Sequence, residues 1–125
     1  LCMFAFSFKI NTMLYSSELI KGTLKTIVLK QLENNNRMYG YEITQRVKEL
    51  SLQRIHITEG ALYPTLHSLE AEGLVTTEIE YIGKRVRKYY RLNSKGKTAI
   101  DEKISELSDF MNTLQFLLDI KPQPQ

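Results

Sequence analysis

The stretch from Thr58 to Leu92, TEGALYPTLHSLEAEGLVTTEIEYIGKRVRKYYRL, decides the fold. Its first half carries leucines at helical spacing, and threonine is a residue type that caps helix N-termini. Gly73 stands where such a helix would end. The second half is rich in Val, Ile, Thr and Tyr, which favour strands. We therefore predict a helix followed directly by a β-hairpin. The predicted buried row of the helix is Leu62, Leu66 and Leu69.

Pro64 lies inside this predicted helix. A proline there removes one backbone hydrogen bond, and its ring clashes with the carbonyl four residues earlier, that of Gly60. We therefore expect a kink or an irregular first turn.

The predicted hairpin joins two extended segments, residues 74–82 and 86–92, through Gly83-Lys84-Arg85. Between Tyr81 and Lys97 the sequence has no Asp or Glu, and its cations are Lys84, Arg85, Arg87, Lys88, Arg91, Lys95 and Lys97. Cations along a hairpin can neutralise DNA phosphates, which releases counterions. The alternative is a charged, solvated edge that deters strand pairing. The local absence of acids favours phosphate binding.

Two amphipathic helices are predicted before this stretch. The first begins at Ser16 or Ser17 and ends at the polar turn 34–36, with the apolar residues Ile20, Leu24, Ile27, Val28 and Leu32. The second has an apolar stripe of Tyr39, Ile43, Val47 and Leu50, in which the tyrosine is interpreted as a core filler. In three helices followed by a two-stranded wing, the third helix enters the DNA major groove and the hairpin contacts the backbone. The same layout also serves protein contacts.

A last helix is predicted from Ser94 onward. Its apolar residues recur at alternating spacings of four and three, which is a heptad pattern; they are Ile100, Ile104, Leu107, Met111, Leu114 and Leu118. Phe110, Phe116 and Leu117 widen this apolar face. A partner chain is the natural cover for so wide a face, and the alternative is a helix folded back on its own domain.

The whole chain has 125 residues, a net charge of +3 and 42% hydrophobic residues, which suits one globular domain. A lone Cys2 cannot form an internal disulfide, so a cytoplasmic location is expected. The apolar opening is far shorter than the ~20 residues that a membrane-spanning helix needs. We expect an N-terminal extension that is non-native or disordered, a DNA-binding domain, a dimerisation helix and a tail, at residues 1–12, 13–93, 94–120 and 121–125.

Catalysis finds little support in the sequence. The two histidines and one cysteine form no constellation for a metal or a nucleophile, and there is no glycine-rich phosphate loop. We expect a protein that is not an enzyme and needs no cofactor.

Four motifs resemble the PadR family of transcriptional regulators. They are Gly40-Tyr41-Glu42-Ile43, then Glu59-Gly60-Ala61-Leu62-Tyr63-Pro64, then Leu69-Glu70-Ala71-Glu72-Gly73-Leu74-Val75, and finally Arg87-Lys88-Tyr89-Tyr90-Arg91-Leu92 followed by Gly96. In the order of that family they cover roughly residues 19–118. The family also tolerates a proline inside its recognition helix.

The resemblance implies a mainly α, α+β fold: a winged helix-turn-helix with a two-stranded wing and a long C-terminal dimerisation helix. It also implies a homodimeric repressor that binds double-stranded DNA at an inverted-repeat operator. The positions that match the family's DNA contacts are Tyr41, Thr58, Glu59, Gly60, Tyr63, Pro64, His67, Lys84, Arg85, Arg87 and Lys88. Glu59 can only accept hydrogen bonds and would repel phosphate, so we expect it to position the helix.

Short members of the family hold planar apolar drugs between the paired last helices by means of a tryptophan. This chain has no tryptophan, and the corresponding position is Leu107. Leucine offers no large stacking face, although Phe110, Met111 and Phe116 can line an apolar pocket. Two alternatives to an ungated repressor therefore stay open: a repressor gated by a small apolar effector, and a winged helix that binds an acidic protein.

Overall fold

The computed structural model describes residues 14–121. Its elements are α1 (Ser17–Lys21), α2 (Leu24–Asn34), β1 (Met38–Tyr39), α3 (Gly40–Leu50), α4 (Glu59–Ala71), β2 (Val75–Ile82), β3 (Arg85–Leu92) and α5 (Ser94–Leu117). The predicted extension at residues 1–12 and residues 122–125 of the predicted tail lie outside the described residues. Within the described range, no helix is both long enough and apolar enough to cross a membrane.

The predicted first helix is two helices, α1 and α2, because the chain turns at Gly22 and Thr23. Ser16 caps α1: its hydroxyl accepts a hydrogen bond from the Leu19 N–H at 3.3 Å. At the other end, both the backbone N–H and the hydroxyl of Thr23 donate to the Ile20 carbonyl, at 2.9 and 3.0 Å. A threonine hydroxyl that bonds locally in this way competes with the continuing helix. The prediction of one uninterrupted helix is therefore wrong.

Helix α4 is anchored by three leucines that are at most 1% exposed, Leu62, Leu66 and Leu69. The Thr58 hydroxyl accepts a hydrogen bond from the Ala61 N–H at 3.3 Å and so caps the helix. After the helix end, Gly73 has a φ of +74°, which a residue without a Cβ adopts at low cost. The predicted cap, buried row and stop are confirmed.

Pro64 is accommodated within α4, which continues through it to Ala71. The proline deprives only the Gly60 carbonyl of its helical partner, and Gly60 is solvent-exposed, so water can reach that end of the helix. The proline therefore does not interrupt the helix, and the kink or irregular first turn stays a prediction.

Strands β2 and β3 form the predicted antiparallel hairpin, in a register that runs from Val75 opposite Leu92 to Ile82 opposite Arg85. The turn consequently has two residues, and Arg85 begins β3 instead of belonging to the loop. Gly83 has a φ of +62° at the first turn position, as in the type II′ turns that glycine favours.

A third strand, β1, joins the sheet on the far side of β3. Met38 pairs with Tyr90, and Tyr39 pairs with Tyr89. Tyr39 is thus a strand residue and the N-cap of α3, and its predicted place in the stripe of the second helix is wrong. In that stripe Ile43 and Val47 are buried, but Leu50 is exposed.

Helix α5 begins as predicted, and the Asn93 side chain caps it by accepting a hydrogen bond from the Gly96 N–H at 2.8 Å. Its first turns belong to the core of the protomer, where Ile100 is 0% exposed. The prediction that Ile100 contributes to a dimer interface is therefore wrong, because its own domain already covers it.

Beyond Ile100, the protomer leaves the predicted apolar face of α5 incompletely covered. Ile104, Phe110, Met111 and Leu118 are exposed, and Leu107 and Leu114 are half-buried. Acidic residues occupy much of the remaining circumference of the helix, at Asp101, Glu102, Glu106 and Asp109. Helix α5 thus has an apolar side and an acidic side.

We predict that Gly96→Ala destabilises the fold. A Cβ at position 96 would collide with the backbone carbonyl oxygen of Leu74 and lie 2.6 Å from Leu92 Cδ1. Backbone cannot move aside as a side-chain tip can, so the free energy of unfolding should fall by about 1–3 kcal/mol in urea titrations. The matched control is Gly22→Ala, because a Cβ at position 22 has no neighbour within 4 Å among the described residues. Equal unfolding midpoints for the two variants would contradict the prediction.

Candidate nucleic-acid interface

The exposed side of α4 carries the predicted recognition residues. The buried leucine row occupies the opposite side, and helical spacing leaves the others exposed: Glu59, Gly60, Tyr63, Pro64 and His67. Thr58, the N-cap, is also exposed. Helix α4 contains no Lys or Arg, so any cation near this surface comes from another element.

A groove of about 430 Å³ separates α4 from the wing, which is the β2–β3 hairpin. We call it the α4–wing groove; its lining residues are Tyr39, Gly40, Tyr63, His67, Arg85, Val86, Arg87, Lys88 and Tyr90. Five of the predicted DNA-contact residues therefore meet here: two from α4 and three from β3. Phenol and imidazole groups on one wall face cationic side chains on the other.

The remaining predicted contacts lie elsewhere. Thr58, Gly60 and Pro64 line a second cavity, of about 770 Å³, between α4 and the first two helices. In the described part of the chain, Tyr41, Glu59 and Lys84 are exposed and line neither cavity.

The pairing of strands makes the wing less positive than the run of cations between Tyr81 and Lys97 indicates. Residues 82–96 contain no acid, but β2 lies beside β3 and brings Glu78 and Glu80 opposite Tyr89 and Arg87. Arg91 Nη2 lies 2.6 Å from Glu78 Oε1, and Lys88 Nζ lies 3.6 Å from Glu70 Oε1. The local absence of acids between Tyr81 and Lys97 therefore does not extend to the strand paired with β3.

The cations that keep their charge available are those near the tip of the wing. Within residues 14–121, neither Lys84 nor Arg85 forms an ion pair, and both are exposed. Arg87 is half-buried, and its guanidinium lies 4.1 Å from the centre of the Tyr39 ring. Stacking of this kind is not an ion pair, and within residues 14–121 no carboxylate pairs with this guanidinium, although Glu80 lies opposite Arg87 on β2.

Arg37 is a functional candidate that the sequence analysis missed. Its Nη1 lies 3.0 Å from Glu78 Oε2 and its Nη2 lies 2.7 Å from Glu80 Oε2. The guanidinium also stacks on the Tyr89 ring, 4.0 Å from the ring centre. The hydrogen bonds from Arg91, followed by those from Arg37, hold the pKa of Glu78 below its ordinary value. Arg37 and Arg91 thus offset the acids of the wing, and only the pairing of strands brings these four residues together.

Tyr39 links the wing to α3. Its ring meets the Tyr89 ring edge-on, with 5.5 Å between ring centres, while Arg87 covers it from β3. Its backbone N–H donates to Glu42 Oε1 at 3.2 Å, which closes the first turn of α3. The start of α3 is therefore held by the wing through the Tyr39 ring and by Glu42 through the Tyr39 backbone.

Metal binding has no candidate site among residues 14–121, because no three His, Cys, Asp or Glu side chains are grouped closely enough to hold an ion.

Comparisons with known proteins agree on one family. The sequence model described as the transcriptional regulator PadR-like family matches residues 28–102. Over 68 residues the chain is 40% identical to "Transcriptional regulator Rv3488" of Mycobacterium tuberculosis, an alignment that spans 54% of this chain and 61% of that protein.

Solved structures give the same result. A PadR family transcriptional regulator from Eggerthella lenta is 31% identical, with a TM-score of 0.73 over 83% of this chain and 88% of that one. A transcriptional regulator from Clostridium thermocellum is 26% identical, with a TM-score of 0.77 over 84% of this chain and all of that one. Together with the architecture of four helices, a hairpin and a long last helix, these matches show that the chain belongs to the PadR-like family of transcriptional regulators and has its winged helix-turn-helix fold.

Proposed function

We propose that this chain is a sequence-specific DNA-binding repressor that binds an inverted-repeat operator as a homodimer and has no catalytic activity. The observation that carries the proposal is the α4–wing groove, in which Tyr63 and His67 face Arg85, Arg87 and Lys88. Hydrogen-bonding groups on a helix and cations on an adjoining hairpin are what a duplex requires, since base edges are read in the groove and phosphates flank it. We place this activity in the cytoplasm.

Helix α4 enters the major groove with its exposed side. Tyr63 offers a hydroxyl that both donates and accepts, and His67 lies one helical turn further along. Thr58, Gly60 and Pro64, which line the second cavity at the N-terminal end of the helix, continue this contact surface, and the missing side chain of Gly60 permits a close approach to the duplex. Glu59 orients the helix by repulsion from phosphate.

The wing supplies the electrostatic part of binding. Lys84 and Arg85 are exposed at its tip without an ion pair in the described range, and Arg87 is held in place by Tyr39. Lys88 adds charge from the wall of the groove. Its Nζ lies 3.6 Å from Glu70 Oε1, and a phosphate can replace this carboxylate as the partner of the ammonium group. Tyr41, which is 62% exposed at the start of α3, reaches the phosphate backbone through its hydroxyl.

The apolar side of α5 joins two protomers. Phe110 and Met111 are 55% and 57% exposed, whereas Asp101, Glu102 and Asp109 lie away from the row formed by Ile104, Leu107 and Met111. A surface of this kind is stabilised when a second copy covers it. Two-fold pairing through α5 would place two recognition helices about 34 Å apart, one DNA turn, as an inverted repeat demands.

We predict that the wild-type protein retards a DNA fragment from upstream of its own gene, and that its affinity falls steeply with salt. If each protomer neutralises three or four phosphates, the affinity should drop roughly a thousandfold to ten-thousandfold between about 50 and 200 mM salt in gel-shift titrations. Binding of an acidic protein by the same cations would leave every promoter fragment unshifted, and that result would overturn the proposal.

Two variants separate the roles of wing and helix in that assay. Arg85→Ala should weaken binding to operator and random DNA alike and reduce the salt slope by about two, one for each protomer of the proposed dimer, whereas Tyr63→Phe should weaken operator binding alone. The charge-matched control is Lys30→Ala on α2, whose Nζ is bonded to Glu33 at 2.7 Å. Equal losses from Arg85→Ala and Tyr63→Phe on both DNAs would contradict this division.

We further predict that Leu107→Glu or Met111→Glu yields a monomer. A carboxylate in the proposed α5 interface would be buried without a partner, which costs several kcal/mol per protomer. Met111 is exposed in the protomer, so its variant should fold normally even if the half-buried Leu107 variant does not. Light scattering gives the mass, and Asn112→Glu, which lies away from the apolar side, is the control. A dimer mass for Met111→Glu would argue against pairing through this face.

A further inference from the structure

Gly40 occupies a buried position at the first residue of α3, directly beside the recognition helix. A Cβ at this position would lie 2.8 Å from Tyr63 Oη, 3.1 Å from Cζ and 3.3 Å from Cε1. All three neighbours belong to one side chain. The absence of a side chain at position 40 therefore leaves the space that the Tyr63 phenol occupies.

Tyr63 is free to move if that space is filled. Its side chain is attached to the exposed side of α4, and the residue is 41% exposed. At Gly96 the situation is different, because the nearest neighbour of a Cβ there is a backbone atom, the carbonyl oxygen of Leu74. A methyl group at position 40 would consequently displace the phenol toward solvent with little cost to the fold, because a side-chain end yields where a packed carbonyl does not.

Gly40 itself cannot retreat from the phenol. The preceding residue, Tyr39, is hydrogen-bonded in the sheet beside Tyr89, and Arg87 stacks on its ring. The Glu42 carboxylate accepts a hydrogen bond from the Tyr39 N–H. The backbone on which Tyr63 rests is thus attached to the wing.

From this geometry we propose that Gly40 is a specificity-determining positioning residue, which sets the place of the Tyr63 phenol relative to the DNA bases without touching DNA. The proposal rests on the function proposed above, in which Tyr63 reads the operator. Discrimination between operators then depends on both α3 and α4. Tyr63 supplies the hydroxyl, and Gly40 determines how far this hydroxyl lies from the DNA bases. Discrimination by hydrogen bonds depends on this distance because a displacement of one ångström breaks them.

A double-mutant cycle tests the proposal, with the full-length chain and the variants Gly40→Ala, Tyr63→Ala and the two combined. The first readout is the ratio of affinities for operator and random DNA. Gly40→Ala should lower this ratio about tenfold, the size of one base contact, while affinity for random DNA is unchanged. In the Tyr63→Ala background the same change should have no further effect, because the side chain through which it acts is gone. Gly22→Ala is the control for the change of residue type.

The second readout is thermal unfolding, which needs no DNA. Any loss of Tm caused by Gly40→Ala should vanish in the Tyr63→Ala background, since the three nearest atoms all belong to Tyr63. An equal loss of Tm from Gly40→Ala in both backgrounds, or an equal effect on the affinity ratio, would overturn the proposal, as would an unchanged ratio in a Gly40→Ala protein that binds its operator; an unchanged Tm in both backgrounds agrees with displacement of the phenol at little cost to the fold. A wild-type protein that shifts no DNA would overturn the proposed function. If the wild type does shift its operator, a failure in these assays concerns the role of Gly40 alone.

Discussion

Burial of the leucine row of α4 is the constraint on which the rest of the structure depends. Leu62, Leu66 and Leu69 enter a core that also contains residues from α2, α3 and β3, among them Val28, Ile43 and Tyr90. A helix held on one side by three elements has only its other side to offer to a ligand. The same burial fixes the distance between α4 and the sheet, and so creates the groove in which Tyr63 and the cations of β3 face each other. Stability and recognition thus use opposite sides of a single helix.

Charge on the wing follows from strand pairing and not from the order of residues in the chain. The pairing of β2 with β3 places Glu78 and Glu80 among the cations, and Arg37, the residue just before β1, balances them. What remains uncompensated is concentrated at Lys84 and Arg85, at the tip. A net charge of +3 for the whole chain therefore understates how strongly one end of the hairpin attracts phosphate.

Periodic features of the sequence predicted most of this architecture. The leucine row, the Thr58 cap, the stop at Gly73 and the hairpin are local or regular signals, and each of them is found. Features that depend on partners distant in the chain were not predictable. A two-residue strand such as β1 has no alternation to detect, and a heptad pattern does not say which molecule covers it. Ile100 illustrates the second case, since it continues the apolar spacing of α5 yet belongs to the core of its own protomer.

The residues of the candidate site also fall into two groups, those that the sequence indicated and those that only the structure revealed. Residue types indicated Tyr63, His67 and the cations of β3, and the family resemblance assigned them to DNA. Arg37 gave no such signal, because its importance lies in carboxylates 41 and 43 residues away. Gly40 stood in a family motif that gave it no role, because its importance lies in an atom it lacks. The junction between β1 and α3 also has a mechanical consequence. Strand β1 ends at Tyr39 and α3 begins at Gly40, with no intervening residue to act as a flexible joint. Because β1 is hydrogen-bonded to β3 at Tyr89 and Tyr90, a torque on that part of the hairpin also acts on the beginning of α3, so the wing and α3 are mechanically coupled.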